Sequence, residues 1–306
     1  MEKAKILKKV KEYQKEGYDP TIDSGTRGWG ATGGFECGVC EEHKEEWANC
    51  LYNKKRDRII VCNSCFGLFF PPYKVKKILI TSGGTREAID EIRYITNIST
   101  GKLGALIQRQ FDDCNNHLSR MRLNPVPLYE IFFVYVKGSE KPITWDGRYC
   151  HFYEVTDVKS VYKVMDKLVP KMDIVIHPMA VSDFGFKPIN TKLKSNDPEA
   201  FIQSLKERIY QTPKILSHIK KWNPNCFLIS FKFENGLEHD ELIRIASDSM
   251  IKNGSDIVVA NDKAEMKKLG EHKAYFLIKD TVKEVNGKEE IAKEILNIIN
   301  DGKTEL

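Results

Sequence analysis

The chain has 306 residues, 41% hydrophobic and 30% charged, with 48 Lys and Arg against 43 Asp and Glu for a formal net charge of +5. This excludes a disordered or fibrous chain and leaves room for one large domain plus a small one. The positive excess is slight: it suits an anionic substrate without demanding nucleic acid, and no apolar run approaches the roughly 18 residues of a membrane span.

The first predicted element is a lysine-rich amphipathic helix over residues 1–17, ended by Gly17 and Pro20. It lacks the apolar centre and cleavage site of a secretory signal, so the expected location is the cytoplasm. Residues 24–34, SGTRGWGATGG, are expected to be irregular. Eight cysteines in such a chain suggest metal or free thiols before disulfides. Cys37-Gly-Val-Cys40 and Cys62-Asn-Ser-Cys65 stand 21 residues apart. Two C-x-x-C turns at this spacing fit a tetrahedral structural Zn2+ site of the zinc-ribbon kind. Arg58-Ile-Ile-Val-Cys62 reads as the strand entering the second turn. A stretch of about 40 residues this poor in apolar side chains needs a metal to fold. A redox C-x-x-C or four free thiols are the competing readings; His43 and Cys50, between the pairs, are substitute ligands or, in the preferred reading, bystanders. Lys54, Lys55, Arg56 and Arg58 form a solvated face or, as the lesser alternative, a nucleic-acid contact. Pro71-Pro72 marks a boundary, giving an N-terminal helix and ribbon-like module at 1–72 and a nucleotide-binding domain at 73–306.

The second domain opens on Ile78 to Gly104, ILITSGGTREAIDEIRYITNISTGKLG. Its first residues form a short apolar run suited to a buried parallel strand. Gly83-Gly84 then allow a tight turn and close approach of a ligand to backbone N–H groups. A polar loop follows, and then Ser99-Thr100-Gly101-Lys102. A helix is expected to start there, capped by Ser99 or Thr100, with Leu103, Leu106 and Ile107 facing inward. Its open N–H groups and Lys102 make an anion site. Two familiar phosphate motifs fail on this stretch: there is no G-x-G-x-x-G, and Gly101-Lys102 is followed by Leu103, not by the serine or threonine of a Walker A loop.

The stretch resembles the signature of the phosphopantothenoylcysteine synthetase family of coenzyme A biosynthesis. The matching positions are Gly84, Thr85, Arg86, Glu87, Asp90, Arg93, Tyr94, Asn97, Ser99, Gly101, Lys102 and Gly104, and Ala88 stands where the family has proline. The resemblance covers roughly residues 75–300 and does not reach the cysteine module.

Further along, a helix is expected at 101–111, and residues 112–130 read as an irregular connection unlike the family. Strands are expected at 131–136 and 149–155, and a helix at 158–168. Asp173-Ile-Val-Ile-His177 is a further buried strand. It runs into a turn, Pro178 to Phe184, similar to the family's A-A-V-[AS]-D-[YF] segment, at a strand end where open parallel sheets bind ligands. In the family's terms Ala180 and Asp183 meet the nucleotide. His177 reads as structural. Thr191-Lys192-Leu193-Lys194 resembles a loop whose first lysine reaches the nucleotide phosphates, a role that falls to Lys192 with Lys194 in reserve. Gln211 to Leu216 resembles T-P-D-I-L, with Lys214 replacing the acid. Cys226 to Phe231 is a strand whose Phe231 would wall the nucleotide pocket; Ser230 and Lys232 depart from the family there, while Glu234 matches it. The helix Glu238 to Asn253 carries Ser249 and Asn253 where bacterial members have two triphosphate-binding lysines. Asp256 to Asp262 is a strand, 273–285 a strand pair and 289–299 the final helix. Strands alternating with helices predict a doubly wound, Rossmann-like α/β fold with a mostly parallel sheet.

The resemblance implies a ligase. A nucleoside triphosphate, CTP favoured over ATP, with Mg2+ activates 4′-phosphopantothenate as an acyl nucleotidylate. L-cysteine then forms the amide, releasing the monophosphate and pyrophosphate. Asn97 and Lys192 are the expected catalytic residues. Gly83, Gly84, Thr85, Ser99, Gly101 and Lys102 are expected to bind the nucleotide or its phosphates, and a homodimer is expected. The decarboxylase half of most bacterial versions has no room in the first 76 residues. The rival readings are an oxidoreductase, which should carry G-x-G-x-x-G, and an inactive synthetase-like domain that binds nucleotide or nucleic acid through the ribbon.

Overall fold

A computed structural model describes residues 3–16, 35–39, 41, 43–44, 49–52, 58–61, 75–120, 128–142, 144, 147, 149–187, 189, 196–279 and 281–300. The chain forms two compact units, Met1–Val75 with Asn115–Leu128, and Lys76–Cys114 with Tyr129–Leu306. The glycine-rich stretch 24–34, Cys40, Cys62, Cys65, Pro71-Pro72 and the loop with Lys192 and Lys194 lie outside the described residues.

In the first unit the helix Lys3–Lys15 is followed by two short antiparallel pairs. Strands β1 (Phe35–Glu36) and β2 (His43–Lys44) form the first, and β3 (Asn49–Tyr52) and β4 (Arg58–Val61) the second. Cys37 and Val39 are buried, as are Val10 and Val61. The Glu41 amide closes a turn onto the Cys37 carbonyl at 2.8 Å, and the Gly38 amide reaches the Ile60 carbonyl at 2.8 Å.

The second unit opens with β5 (Lys76–Ser82). A small antiparallel hairpin follows, β6 (Arg86–Ala88) and β7 (Tyr94–Thr96). After the helix Lys102–Arg120 come β8 (Tyr129–Val136), β9 (Cys150–Val155), the helix Val158–Leu168 and β10 (Ile174–His177). A second hairpin pairs β11 (Phe184–Phe186) with β12 (Ile209–Gln211) around the helix Pro198–Arg208. The helix Ile215–Trp222, β13 (Phe227–Glu234), the helix His239–Asn253, β14 (Ile257–Asp262) and the helix Lys263–Leu269 follow. The unit ends with β15 (Lys273–Ile278), β16 (Thr281–Asn286) and the helix Lys288–Asn300.

Eight of these strands form one sheet in the order β16-β15-β14-β13-β10-β5-β8-β9. The six from β14 to β9 are parallel, and β15 and β16 run antiparallel at one edge. Central strands are buried on both faces, which explains their continuous apolar sequence. Leu79, Val175 and Leu228 pack with Val161 and Met165 of one helix and Ile215 and Ile219 of another. The alternating residues Ile78, Ile80, Ile174 and Ile176 are equally buried. The Val158–Leu168 helix starts in a capping box: Asp157 Oδ1 accepts the Ser160 amide at 2.8 Å and Ser160 Oγ accepts the Asp157 amide at 3.1 Å.

One expectation needs correcting. The helix after β5 does not stop at 111 but runs to Arg120, so much of the supposedly irregular 112–130 connection is helical. Ile107, Phe111 and Asn115 are buried at helical spacing, and Arg109 pairs with Asp113 four residues on at 3.6 Å. A polar residue, Asn115, holds the inward position there; its Oδ1 accepts the Leu128 amide at 3.0 Å.

Candidate active site

The chain runs outward from β5 to β8 and β9, then crosses back to lay β10 on the other side of β5. Strand order therefore reverses between β5 and β10, and the crevice at their carboxyl ends is where open α/β sheets take ligands. Here the two turns are tied together. Gly84 and Ala180 form a parallel bridge. The Thr85 amide donates to the Ala180 carbonyl at 3.0 Å, and the Ala180 amide to the Gly83 carbonyl at 2.9 Å. Thr85 Oγ1 accepts the Ser182 amide at 2.9 Å. Asn97 joins the same place: its Nδ2 donates to the Ala180 carbonyl at 3.2 Å, while the side chain stays exposed.

The glycines permit this closeness. Gly83 has φ +89, and a Cβ there would lie 2.0 Å from Ser139 Oγ. A Cβ on Gly84 would lie 2.6 Å from the Asn97 carbonyl oxygen. Gly101 is buried, and its carbonyl accepts from Ser82 Oγ at 2.9 Å. Ser99 is half-buried, its amide bonded to the Asn97 carbonyl at 2.8 Å.

Three charged residues of the motif shape the loop that presents Asn97. Asp90 Oδ1 accepts the amides of Ile92 and Arg93 at 2.9 and 2.8 Å, and its Oδ2 takes Arg93 Nε at 3.0 Å. This fixes the β6–β7 turn. Arg93 also lies over the Phe201 ring at 4.9 Å. Glu87 is buried and its Oε1 accepts the Val158 amide at 2.9 Å, at the start of a helix. Burial raises its pKa, partly offset by that bond.

Beside these turns, at the carboxyl ends of β10 and β13, lies a cleft of about 540 Å³. His177, Met179, Asp183, Phe231, Ser249 and Asn253 are among its lining residues. Asp183 Oδ1 pairs with Lys214 Nζ at 2.8 Å inside it, and Lys232 Nζ, also in its lining, pairs with Glu234 Oε1 at 2.8 Å. Each is partly exposed, so each is worth at most about 1 kcal/mol. Asn253 Nδ2 donates to the Ser249 carbonyl at 2.8 Å. Ser230, at the departure from the family, is buried with its Oγ 2.8 Å from Ser255 Oγ.

The structure thus brings Gly83, Gly84, Thr85, Asn97 and Ala180 together, and puts Asp183 and Phe231 on the adjoining cleft. Lys102 stands apart, exposed at its helix start in a second groove with Lys263, Lys267 and Lys288. Sequence reading missed the Asp183–Lys214 pair and the place of His177 on the cleft. A histidine closing a buried strand just before a loop is the signal that was there to use.

Among the described residues no three metal-ligating side chains cluster. Asp183 and Asp248 nevertheless line the cleft. This fits a magnesium ion that arrives on a triphosphate and needs only one or two protein carboxylates. For zinc, the Cys37–Glu41 turn hydrogen-bonded to β4 sits beside the strand whose next residue is Cys62. Cys37 is the one of the four expected ligands among the described residues, and a four-thiolate donor set is of the kind that suits the ion.

A sequence model described as the DNA/pantothenate metabolism flavoprotein C-terminal domain matches residues 73–117 and 135–302. The coenzyme A biosynthesis bifunctional protein CoaBC of Thermococcus kodakarensis is 35% identical over 61% of this chain and 41% of its own length. Its Borreliella burgdorferi counterpart is 32% identical over 74% of this chain and 53% of its own. The chain thus spans about half the length of the curated relatives it matches. The crystal structure of the DNA/pantothenate metabolism flavoprotein from Streptococcus pneumoniae is 31% identical, covers 74% of this chain and 99% of that one, and superposes with a TM-score of 0.59.

Proposed function

This chain belongs to the DNA/pantothenate metabolism flavoprotein C-terminal domain family, the family of the phosphopantothenoylcysteine synthetases, and from that premise we propose that it is a phosphopantothenate–cysteine ligase. The observation that carries the reading is the meeting of Asn97 with the Gly84–Ala180 bridge beside a nucleotide-sized cleft at the strand-order reversal.

The carboxylate of 4′-phosphopantothenate attacks the α-phosphorus of the nucleotide and displaces pyrophosphate. The amine of cysteine then attacks the acyl carbonyl and expels the nucleoside monophosphate. No protein nucleophile is needed; positioning and charge neutralisation supply the rate. Phe231 and Asp183 hold base and ribose. Lys214, Lys232 and Lys252 of the cleft neutralise the phosphates, with Lys192, whose segment resembles the family's phosphate-binding loop, in the same role. Magnesium, bound with the triphosphate, supplies charge neutralisation on the phosphate oxygens. The Asn97 amide has two protons: one is placed on the Ala180 carbonyl, and the other is available to the acyl oxygen as it gains charge. CTP is the favoured nucleotide and the cytoplasm the place of action; no helix among the described residues is long and apolar enough to cross a membrane.

A homodimer completes the reading. Ile92 and Ile98 on the β6–β7 side are 64% and 95% exposed, beside exposed Phe184, Ile209 and Tyr210. A second copy would cover them, since an apolar patch of this kind on a lone chain is a poor surface. Sedimentation as a monomer at micromolar concentration would count against it. For the ligase itself, pyrophosphate release is measured with Mg2+, 4′-phosphopantothenate, cysteine, and CTP or ATP separately. We expect turnover that needs all three substrates and drops at least a hundredfold in Asn97→Ala. Folded, metal-loaded protein inert with both nucleotides would sink the ligase and leave a nucleotide-binding module.

A further inference from the structure

His177 closes β10 and is the one histidine among the described residues lining the cleft. The residue is buried, yet it is among the groups lining the cleft. Its Nδ1 lies 2.8 Å from Thr81 Oγ1, on the neighbouring strand. Thr81 is itself fully buried, and its Oγ1 accepts the Met179 amide at 3.3 Å. A buried hydroxyl proton needs an acceptor. Among the described residues the acceptor within its reach is His177 Nδ1. That bond makes Nδ1 the acceptor and leaves the proton on Nε2, which has no partner among the described residues. Burial lowers the pKa of the ring to about 4, so it stays uncharged at neutral pH.

The cleft lining carries charged as well as apolar groups. Lys214, Lys232 and Lys252 bring the cations, and Asp183 and Asp248 the carboxylates. Phosphates belong with the lysines. The same lining includes Met179, Ile215 and Phe231, apolar and aromatic groups suited to the flat face of a base, and His177 is paired in register with Ser230, the residue before Phe231.

We propose that His177 Nε2–H donates a hydrogen bond to an uncharged ring-nitrogen or carbonyl acceptor of the nucleotide base, making His177 a specificity-determining residue of the cleft and Thr81 the residue that sets its tautomer. This rests on the ligase reading only in taking a nucleoside triphosphate as the ligand.

The test separates the two. Binding of CTP and ATP is measured by calorimetry on the full chain, beside turnover, for wild type, His177→Phe and His177→Gln. The ring nitrogens of His177 are followed by NMR. We expect an Nε2–H tautomer in the free protein and a shift of Nε2 when nucleotide is added. In His177→Phe, Kd and KM for the preferred nucleotide should rise about tenfold with kcat nearly unchanged, and His177→Gln should recover part of the loss. Nucleotide binding with these effects but no turnover leaves the inference standing while the ligase reading falls. Turnover with His177→Phe within twofold of wild type in Kd and KM overturns the inference alone. An Nδ1–H tautomer, or a wild-type protein that binds neither nucleotide, overturns it as well.

Discussion

Replacing Gly83 by alanine tests the turn on which the whole site is hung. Gly83 sits at φ +89, where an L-residue costs about 1–2 kcal/mol. Its new Cβ would also lie 2.0 Å from Ser139 Oγ, 3.0 Å from Ser139 Cβ and 3.2 Å from Val136 Cβ. The serine hydroxyl can rotate away, but the two carbons cannot, and such overpacking adds about 1–3 kcal/mol. The single variant should therefore lose about 2–5 kcal/mol. Removing the obstruction by Ser139→Gly leaves the Ser139 amide bond to the Val136 carbonyl in place. In that background Gly83→Ala should cost the backbone part, about 1–2 kcal/mol, plus the share of the overpacking that the Val136 contact retains. Urea unfolding of the four proteins, followed by circular dichroism, gives the coupling between the two sites. A coupling of about 1–2 kcal/mol, the Ser139 share of the overpacking, is expected. Additivity to within about 0.5 kcal/mol would refute the packing account.

Two further outcomes follow from residues already described. His177 titrates at about 4 when folded, against roughly 6.5 for an unperturbed histidine. The unfolded chain takes up that proton first as pH falls, so the contribution is whole above about pH 6.5 and is lost progressively toward pH 4. Between pH 7 and pH 5 wild type should lose roughly 2 kcal/mol more stability than His177→Phe in urea titrations; parallel curves would refute the neutral buried ring. In the first unit, metal analysis should find one zinc per chain, and a chelator should release it with loss of the β3–β4 structure. Zinc-free protein with an unchanged amide spectrum for residues 49–61 would remove the metal from the account.

Much of this architecture is legible in the chain because burial writes itself into sequence. Ile78–Ile80 and Ile174–Ile176 are covered on both faces, so they read as unbroken apolar runs. The stretch from Gly83 to Gly101 is legible for another reason: its glycines and Asn97 meet within a few ångströms, and few alternatives fit. The β6–β7 hairpin is harder to see. Tyr94, Ile95 and Thr96 are exposed, and its turn is held by the Asp90 carboxylate, not by an alternating pattern. The last turns of the Lys102–Arg120 helix are hidden in the same way, by Asn115 at an inward position. The cleft is least legible of all. His177 depends on Thr81, 96 residues earlier, and Asp183 on Lys214 across the β11–β12 hairpin. Such pairings are fixed by strand order, which local sequence does not state.

The bridge between Gly84 and Ala180 also changes how the site should behave in time. Loops at strand ends ordinarily fray and exchange their amide protons through small local openings. Here the amides of Thr85 and Ala180 are bonded across the two turns as strand amides would be. Their deuterium uptake should therefore track the slow exchange of β5 and β10, leaving these two turns among the last of the described segments to open.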